Sequence, residues 1–258
     1  MLVDTHAHYD DVKFDEDRQA CLKRVHAQGV DYIINAAQDL PSLHACIALA
    51  EAYDFVYITA GIHPHEASSW SEEGMRQIAD LAQHTKVVAI GETGLDYHYD
   101  FSPREMQIQN FISNIGLARE LKKPVVIHDR EAHGDMLRIL QQEKIWEIGA
   151  VMHCYSGSAE MARQLTDMGL YFSVGGAVTF KNARRIAEAL RVIPNERLML
   201  ETDCPYMTPE PFRGHRNDSG YLPYTARRIA EIKEISYEEL CSLTSGNSKR
   251  FFNILHNN

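Results

Sequence analysis

Six side chains of metal-binding type each sit just past a short apolar run. His6 and His8 lie in Val3-Asp4-Thr5-His6-Ala7-His8, and Glu92 closes Val88-Ala89-Ile90-Gly91-Glu92. His128 follows Val125-Val126-Ile127, His153 follows Val151-Met152, and Asp203 ends Leu198-Met199-Leu200-Glu201-Thr202-Asp203. Four imidazoles and two carboxylates in one place can hold two divalent cations. Each residue alone has an ordinary explanation. His128 or His153 could be a core histidine bonded to a backbone carbonyl, Asp203 a turn cap, and Glu92 the partner of a lysine. All six explanations holding together is a poor account, because charge buried at so many inner strand ends is costly unless something pairs with it. The pattern predicts a metal-dependent hydrolase.

Such a site needs a scaffold that brings strand ends together. Eight short apolar runs alternate with helical patterns: Leu2–Asp4, Tyr32–Asn35, Val56–Ala60, Val87–Gly91, Val125–Ile127, Ala150–Met152, Tyr171–Val174 and Arg197–Leu200. Alternation of this kind implies a parallel sheet. The expected fold is α/β, a single (β/α)8 TIM barrel spanning residues 1–258, whose active site lies at the C-terminal ends of its strands. Side chains alternate faces along a strand, so His6 and His8 point the same way. Helix starts are also legible. Ser102-Pro103-Arg104-Glu105 and Ser236-Tyr237-Glu238-Glu239 read as capping boxes, and Ser158 and Gly169 as the start and stop of one helix. The longest irregular stretch, Cys204 to about Gly220, is a candidate substrate-binding loop.

The chain has 258 residues, a length that suits one such barrel without a second domain. Its formal charge of −10, from 36 acidic against 26 basic residues, argues against a general coat for DNA or membranes. A phosphate substrate remains compatible, since bound divalent ions reverse the local charge. The five cysteines are scattered and form no Cys-x-x-Cys pair, which suits reduced thiols in the cytoplasm. No signal peptide or membrane span is legible. A monomer is expected, with no element left over for an interface.

The motif set has a familial likeness. His6-Ala7-His8, Gly61-Ile62-His63-Pro64-His65, Gly91-Glu92-Thr93-Gly94-Leu95-Asp96-Tyr97, the run Pro124 to His128, His153-Cys154-Tyr155-Ser156-Gly157 and Glu201-Thr202-Asp203-Cys204-Pro205-Tyr206 together resemble the TatD family of metal-dependent deoxyribonucleases, in the amidohydrolase superfamily. The resemblance runs through nearly the whole chain in order. It implies hydrolysis of DNA phosphodiesters, commonly as a 3′-to-5′ exonuclease on single strands or 3′ ends, and in some members at abasic sites. It also implies that His6, His8, Glu92 and Asp203 hold one metal, while Glu92, His128 and His153 hold the second. Glu92 would then bridge, in the place where many relatives in the superfamily carry a carboxylated lysine. The resemblance suggests magnesium or manganese, whereas imidazole-rich coordination favours zinc.

Phosphodiester hydrolysis needs a nucleophile and charge neutralisation, both of which divalent cations supply. Asp203 is the candidate to orient the water and take its proton, with Glu92 and His63 as the other catalytic candidates. For Glu201 two readings stand, a partner for a ligating histidine or an ion pair within the barrel. His65, Asp96, Arg130, Tyr155, Tyr206 and Arg213 are candidates for touching substrate; the tyrosines could stack on a base or simply pack. Cys154 and Cys204 read as packing residues beside ligands. A small-molecule hydrolase acting on a lactone, cyclic amide or phosphate ester through the same site is the alternative, and the acidic composition favours it. A metal-binding scaffold for a protein partner is a third reading, opposed by the complete ligand set with a candidate base.

Overall fold

The computed structural model describes residues 1–254. Eight strands follow chain order in one sheet: β1 (Leu2–Ala7), β2 (Val30–Ala36), β3 (Val56–Ala60), β4 (Val87–Asp96), β5 (Val125–Arg130), β6 (Ala150–Met152), β7 (Tyr171–Val174) and β8 (Leu198–Leu200). Between and after them run α1 (Arg18–Ala27), α2 (Leu40–Ala52), α3 (Glu72–Leu81), α4 (Arg104–Leu121), α5 (His133–Gln142), α6 (Ala159–Asp167), α7 (Arg184–Leu190), α8 (Leu222–Lys233) and α9 (Tyr237–Phe251). The fold is a (β/α)8 TIM barrel. Strands β6 and β8 are buried along their whole length, which is why they read as unbroken apolar runs.

Three strands outrun their apolar segments. β1 continues to Ala7, β4 to Asp96 and β5 to Arg130, where hydrophobicity alone ends them at Asp4, Gly91 and Ile127. Pairing is a main-chain property, so it continues through polar residues while the partner strand does. The ligand candidates His6, Glu92 and His128 therefore lie within strands and not in the loops beyond them.

Contacts divide the chain into two compact units. One holds Met1–Asn35, Cys154–Asp167 and the chain from Tyr171 onward; the other holds Ala36–His153 and Met168–Leu170. In the first, the segment after β8 pairs back onto β1. Ala7 and Cys204 form a parallel bridge, Asp203 N–H donates to His6 O at 2.9 Å, and His8 N–H to Cys204 O at 2.8 Å. The buried Asp4 carboxylate ties these pieces together. Its Oδ1 accepts from Thr202 N at 2.9 Å and His6 N at 3.3 Å, and its Oδ2 from Thr202 Oγ1 at 2.6 Å and Ser219 Oγ at 2.7 Å. Burial pushes the Asp4 carboxyl up to about 7, against these hydrogen bonds, which favour its ionised form.

In the second unit, β4 is distorted where Glu92 stands. Its register with β5 runs from Ile90 opposite Val125, shifts, and resumes with Thr93 opposite Ile127 and Gly94 opposite His128. Gly94 has φ +144°, and a Cβ added there would stand 2.0 Å from the His128 carbonyl oxygen. Only glycine lets β4 approach β5 this closely.

Ser236 caps α9 through Glu239 N, Ser158 Oγ accepts from Met161 N, and Gly169 turns left-handed after α6, as the sequence predicts. Ser102 does not cap α4. The residue ahead of α4 is Pro103, and the buried Ser102 hydroxyl donates instead to His65 O at 2.8 Å and accepts from Ser68 N at 3.0 Å. A hydroxyl with partners across the loop is better satisfied there than on its own helix.

The Asp4 network sets a stability prediction. Asp4→Ala strands two hydroxyls and two backbone N–H groups and is expected to cost about 3–5 kcal/mol. Asp4→Asn retains an acceptor for the N–H groups and offers a donor to the hydroxyls, which can rotate, so it is expected to lose less than half of that. Urea unfolding of both variants at one pH measures the difference, and equal losses would contradict the assigned network.

Candidate metal centre

In the first unit His6, His8 and Asp203 converge, each offering one ligand atom within 4.8 Å of the others. His6 Nε2 lies 3.2 Å from His8 Nε2, which lies 3.3 Å from Asp203 Oδ1. Ligands about 2.0–2.1 Å from one tetrahedral ion are themselves separated by roughly 3.3 Å. Both histidines are buried, while the Asp203 side chain keeps 18% of its surface exposed. Strand alternation explains the His-x-His pair, and pairing of the post-β8 segment on β1 delivers the aspartate. Asp203 sits at φ +57°, a left-handed conformation that aspartate adopts more readily than most residues. Glu201 is fully buried and accepts a hydrogen bond from Ser173 Oγ.

In the second unit three imidazoles meet one carboxylate oxygen. Glu92 Oε1 lies 2.8 Å from His128 Nδ1, 2.8 Å from His153 Nε2 and 3.4 Å from His63 Nε2. His63 Nδ1 accepts from His65 N–H at 3.1 Å, which puts the neutral ring's proton on Nε2, facing Glu92. Burial pushes His63 down to about 4, and the neighbouring Glu92 charge opposes this only in part. His63 is therefore neutral at pH 7 and suited to donate a hydrogen bond, not to act as an imidazolium acid.

His128 is held from its other side. Its Nε2 lies 3.1 Å from Asp96 Oδ2, an oxygen shared with His65 Nε2 at 2.8 Å. Asp96 Oδ1 accepts from His98 N at 3.0 Å and Tyr99 N at 2.9 Å. Burial acts to raise the Asp96 carboxyl, but the hydrogen bonds from His128, His65 and Tyr99 N–H outweigh it and hold the group well below the usual carboxylate range. Burial acts to lower His128, and the Asp96 and Glu92 bonds outweigh it and raise the ring. Gln107 in α4 closes the support: its Oε1 accepts from Asp96 N at 2.8 Å, and its Nε2 donates to Asp96 O at 3.1 Å and Ser102 O at 2.8 Å.

The donor chemistry fits divalent cations. Nitrogen and carboxylate oxygen are borderline ligands suited to zinc, manganese and their neighbours. A carboxylate oxygen crowded by three rings is also the kind of acceptor a cation shares better than competing protons. His128 has the outer support that a metal-ligating histidine usually requires, with Asp96 on its far nitrogen.

Two of the residues expected to touch substrate are buried. Asp96 has both oxygens engaged, by the rings of His128 and His65 and by the N–H groups of His98 and Tyr99. Tyr155 is only 4% exposed; its hydroxyl donates to Ser158 O at 2.8 Å and its ring packs edge-on against Phe172. His65 is half-buried in the Asp96 network. Arg130, Tyr206 and Arg213 are exposed, with Arg130 over Tyr99, Arg213 over Phe180, and Lys13 over the Tyr206 ring. Cys204 is buried and Cys154 half-buried. Sequence reasoning missed Asp4, Gln107, Asn110 and Asn114. The last three carry a visible signal, a polar stripe at helical spacing within α4, all of it buried.

Comparison with known proteins follows the same lines. Residues 3–253 match the family of TatD related DNases. The chain is 46% identical over 254 residues to the uncharacterized metal-dependent hydrolase YabD of Bacillus subtilis, covering 98% of this chain and 100% of that protein. It is 35% identical over 245 residues to the 3′-5′ ssDNA/RNA exonuclease TatD of Cronobacter sakazakii, covering 93% of each. The crystal structure of YJJV, a TatD homolog from Escherichia coli, superposes with a TM-score of 0.92 at 29% identity, covering 98% of both chains.

Asp96 gives a prediction separate from turnover. Asp96→Asn places an amide donor against the ring N–H groups and loosens His128, so metal affinity is expected to fall about 10–100-fold. Competition with a chelating dye measures this. Undiminished affinity would remove Asp96 from its supporting role.

Proposed function

The chain belongs to the TatD family of metal-dependent hydrolases, and we propose that it cleaves phosphodiester bonds of single-stranded nucleic acid from the 3′ end, as one catalytic domain acting as a monomer. The observation that carries this reading is the meeting of His63, His128 and His153 on Glu92 Oε1, in a chain 35% identical to an exonuclease that acts on ssDNA and RNA. We place the protein in the cytoplasm, where its five free cysteines would stay reduced. Among the described residues no helix is long and apolar enough to cross a membrane.

In this proposal His6, His8 and Asp203 would hold one divalent cation, and Glu92, His128 and His153 would hold a second. The cations would supply Lewis acidity toward the phosphoryl oxygens and acidify a bound water. The partly open Asp203 carboxylate orients the attacking water and accepts its proton. His63, whose Nε2–H faces Glu92 across a long 3.4 Å, is the candidate to share that N–H with a phosphate oxygen as charge develops there. His128 is kept in register by Asp96, so its Nδ1 stays directed at Glu92. Magnesium, manganese and zinc remain the candidate ions. A small-molecule ester or lactone is the second reading, favoured by the net charge of −10.

The test is degradation of a 5′-labelled single strand by metal-stripped protein with magnesium, manganese or zinc restored. A ladder shortening from the 3′ end is expected with at least one ion. Glu92→Gln and Asp203→Asn are each expected to lower the rate by several orders of magnitude, on the order of the effects seen when a principal catalytic group is removed. Hydrolysis of lactones or aryl esters with no attack on DNA would move the assignment to the second reading.

A further inference from the structure

The loop after β4 turns two aromatic rings outward beside the candidate centre. Tyr99 is 46% and Phe101 67% exposed, and their rings stack at 5.2 Å with 23° between planes. The Arg130 guanidinium lies 4.6 Å from the Tyr99 centroid. Single exposed aromatics are unremarkable on a protein surface. A stacked pair with a cation over one face is a different feature, because it is already arranged as flat π-surface next to positive charge.

The loop is held, not loose. Asp96 Oδ1 accepts from His98 N and Tyr99 N, and Tyr97 N–H donates to Arg130 O at 2.9 Å. The His65 ring stands edge-on to both aromatics, with centroids 5.4 Å from Tyr99 and 4.8 Å from Phe101. His65 in turn shares Asp96 Oδ2 with His128. One carboxylate therefore fixes both the platform and a candidate metal ligand.

The charged groups nearby have partners of their own. Asp100 is paired with Arg104 at 2.7 Å, and Glu131 with His98 at 2.9 Å. Arg130 makes no ion pair among the described residues. The platform thus presents two rings and one available guanidinium in a chain that is acidic as a whole.

We infer that Phe101 and Tyr99 form a stacking site for an unpaired nucleobase next to the scissile phosphate, with Arg130 on a neighbouring phosphate. The inference rests on the nucleic-acid reading above and adds a residue-level basis for strand preference. Every base offers a π-face, so stacking is tolerant of sequence and indifferent to the 2′-hydroxyl. A base inside a duplex has no face to offer. The site therefore selects single-stranded segments, of DNA and RNA alike, over the interior of a duplex.

Binding, measured apart from cleavage, tests this. A fluorescent ten-nucleotide thymidine strand is titrated with wild-type protein and with Phe101→Ala and Phe101→Trp, all in chelator. Phe101→Ala is expected to weaken binding about tenfold, which corresponds to the loss of one stacked base, and Phe101→Trp to restore it. A strand of the same length made of abasic units is expected to bind more weakly than thymidine and to be insensitive to Phe101→Ala. Unchanged thymidine affinity in Phe101→Ala, or an equal loss on the abasic strand, overturns the stacking site. The wild type is then supplied with metal. Base-dependent binding without cleavage would overturn the nuclease reading while the stacking site stands.

Discussion

A carboxylate removed from water has to be satisfied from within, and Glu92 shows how much structure that demands. Its Oε1 is met by rings from the segment after β3, from β5 and from the end of β6. Isolated, an ionised carboxylate at 2% exposure would be far too costly to keep. The three rings make it sustainable. The register shift in β4 and the close approach of Gly94 to His128 O exist to place this one side chain. A regular strand of larger residues would hold β4 away from β5 and point Glu92 elsewhere.

The same demand is met one layer out by main-chain N–H groups and amides. Asp96 takes two backbone N–H groups and two imidazoles, and Gln107 takes up the Asp96 backbone on both sides. Further along α4, Asn110 donates to Ile62 O at 2.8 Å, and Asn114 donates to Asn110 O at 2.8 Å. A helix that would ordinarily bury only apolar residues thus carries a hydrogen-bonded column that anchors the loops after β3 and β4. In the first unit Asp4 performs the corresponding task for β1, the post-β8 segment and the turn before α8. Such networks stabilise when complete and destabilise when one member is lost, which keeps the ligand-bearing segments in a single arrangement.

Legibility in the sequence followed the range of the interaction. The strands were readable because burial on both faces forces apolar runs, and the ligand candidates stood out because each stands at the end of one. Convergence of His6 with His8 follows from strand alternation alone. The role of Asp96 was not readable, since a polar residue in a Gly-Leu-Asp-Tyr turn looks equally suited to solvent, substrate or support. Its burial depends on Gln107, eleven residues on, and on two histidines from other segments. Ser102 misled for a related reason: a capping box is a local pattern, and the hydroxyl found non-local partners in Ser68 and His65. Tyr155 was ambiguous between stacking and packing until Phe172 and Ser158 O were seen beside it.

On the proposed nucleic-acid reading, an acidic chain must rely on where its charges lie, not on their sum. At ordinary ionic strength charges are screened beyond roughly 8–10 Å, so a surplus of carboxylates far from a site does little to repel a strand already in contact. What matters is the local arrangement: in the second unit Asp100 pairs with Arg104, while Glu131 and Asp96 are hydrogen-bonded to histidines. Arg130 is left to act on an anion. The long-range surplus still affects encounter, since a negative protein is approached slowly by a negative strand. On that reading, a chain built this way would give up rapid, indiscriminate capture of nucleic acid and hold those strands that offer an unpaired base to the rings and a phosphate to the site.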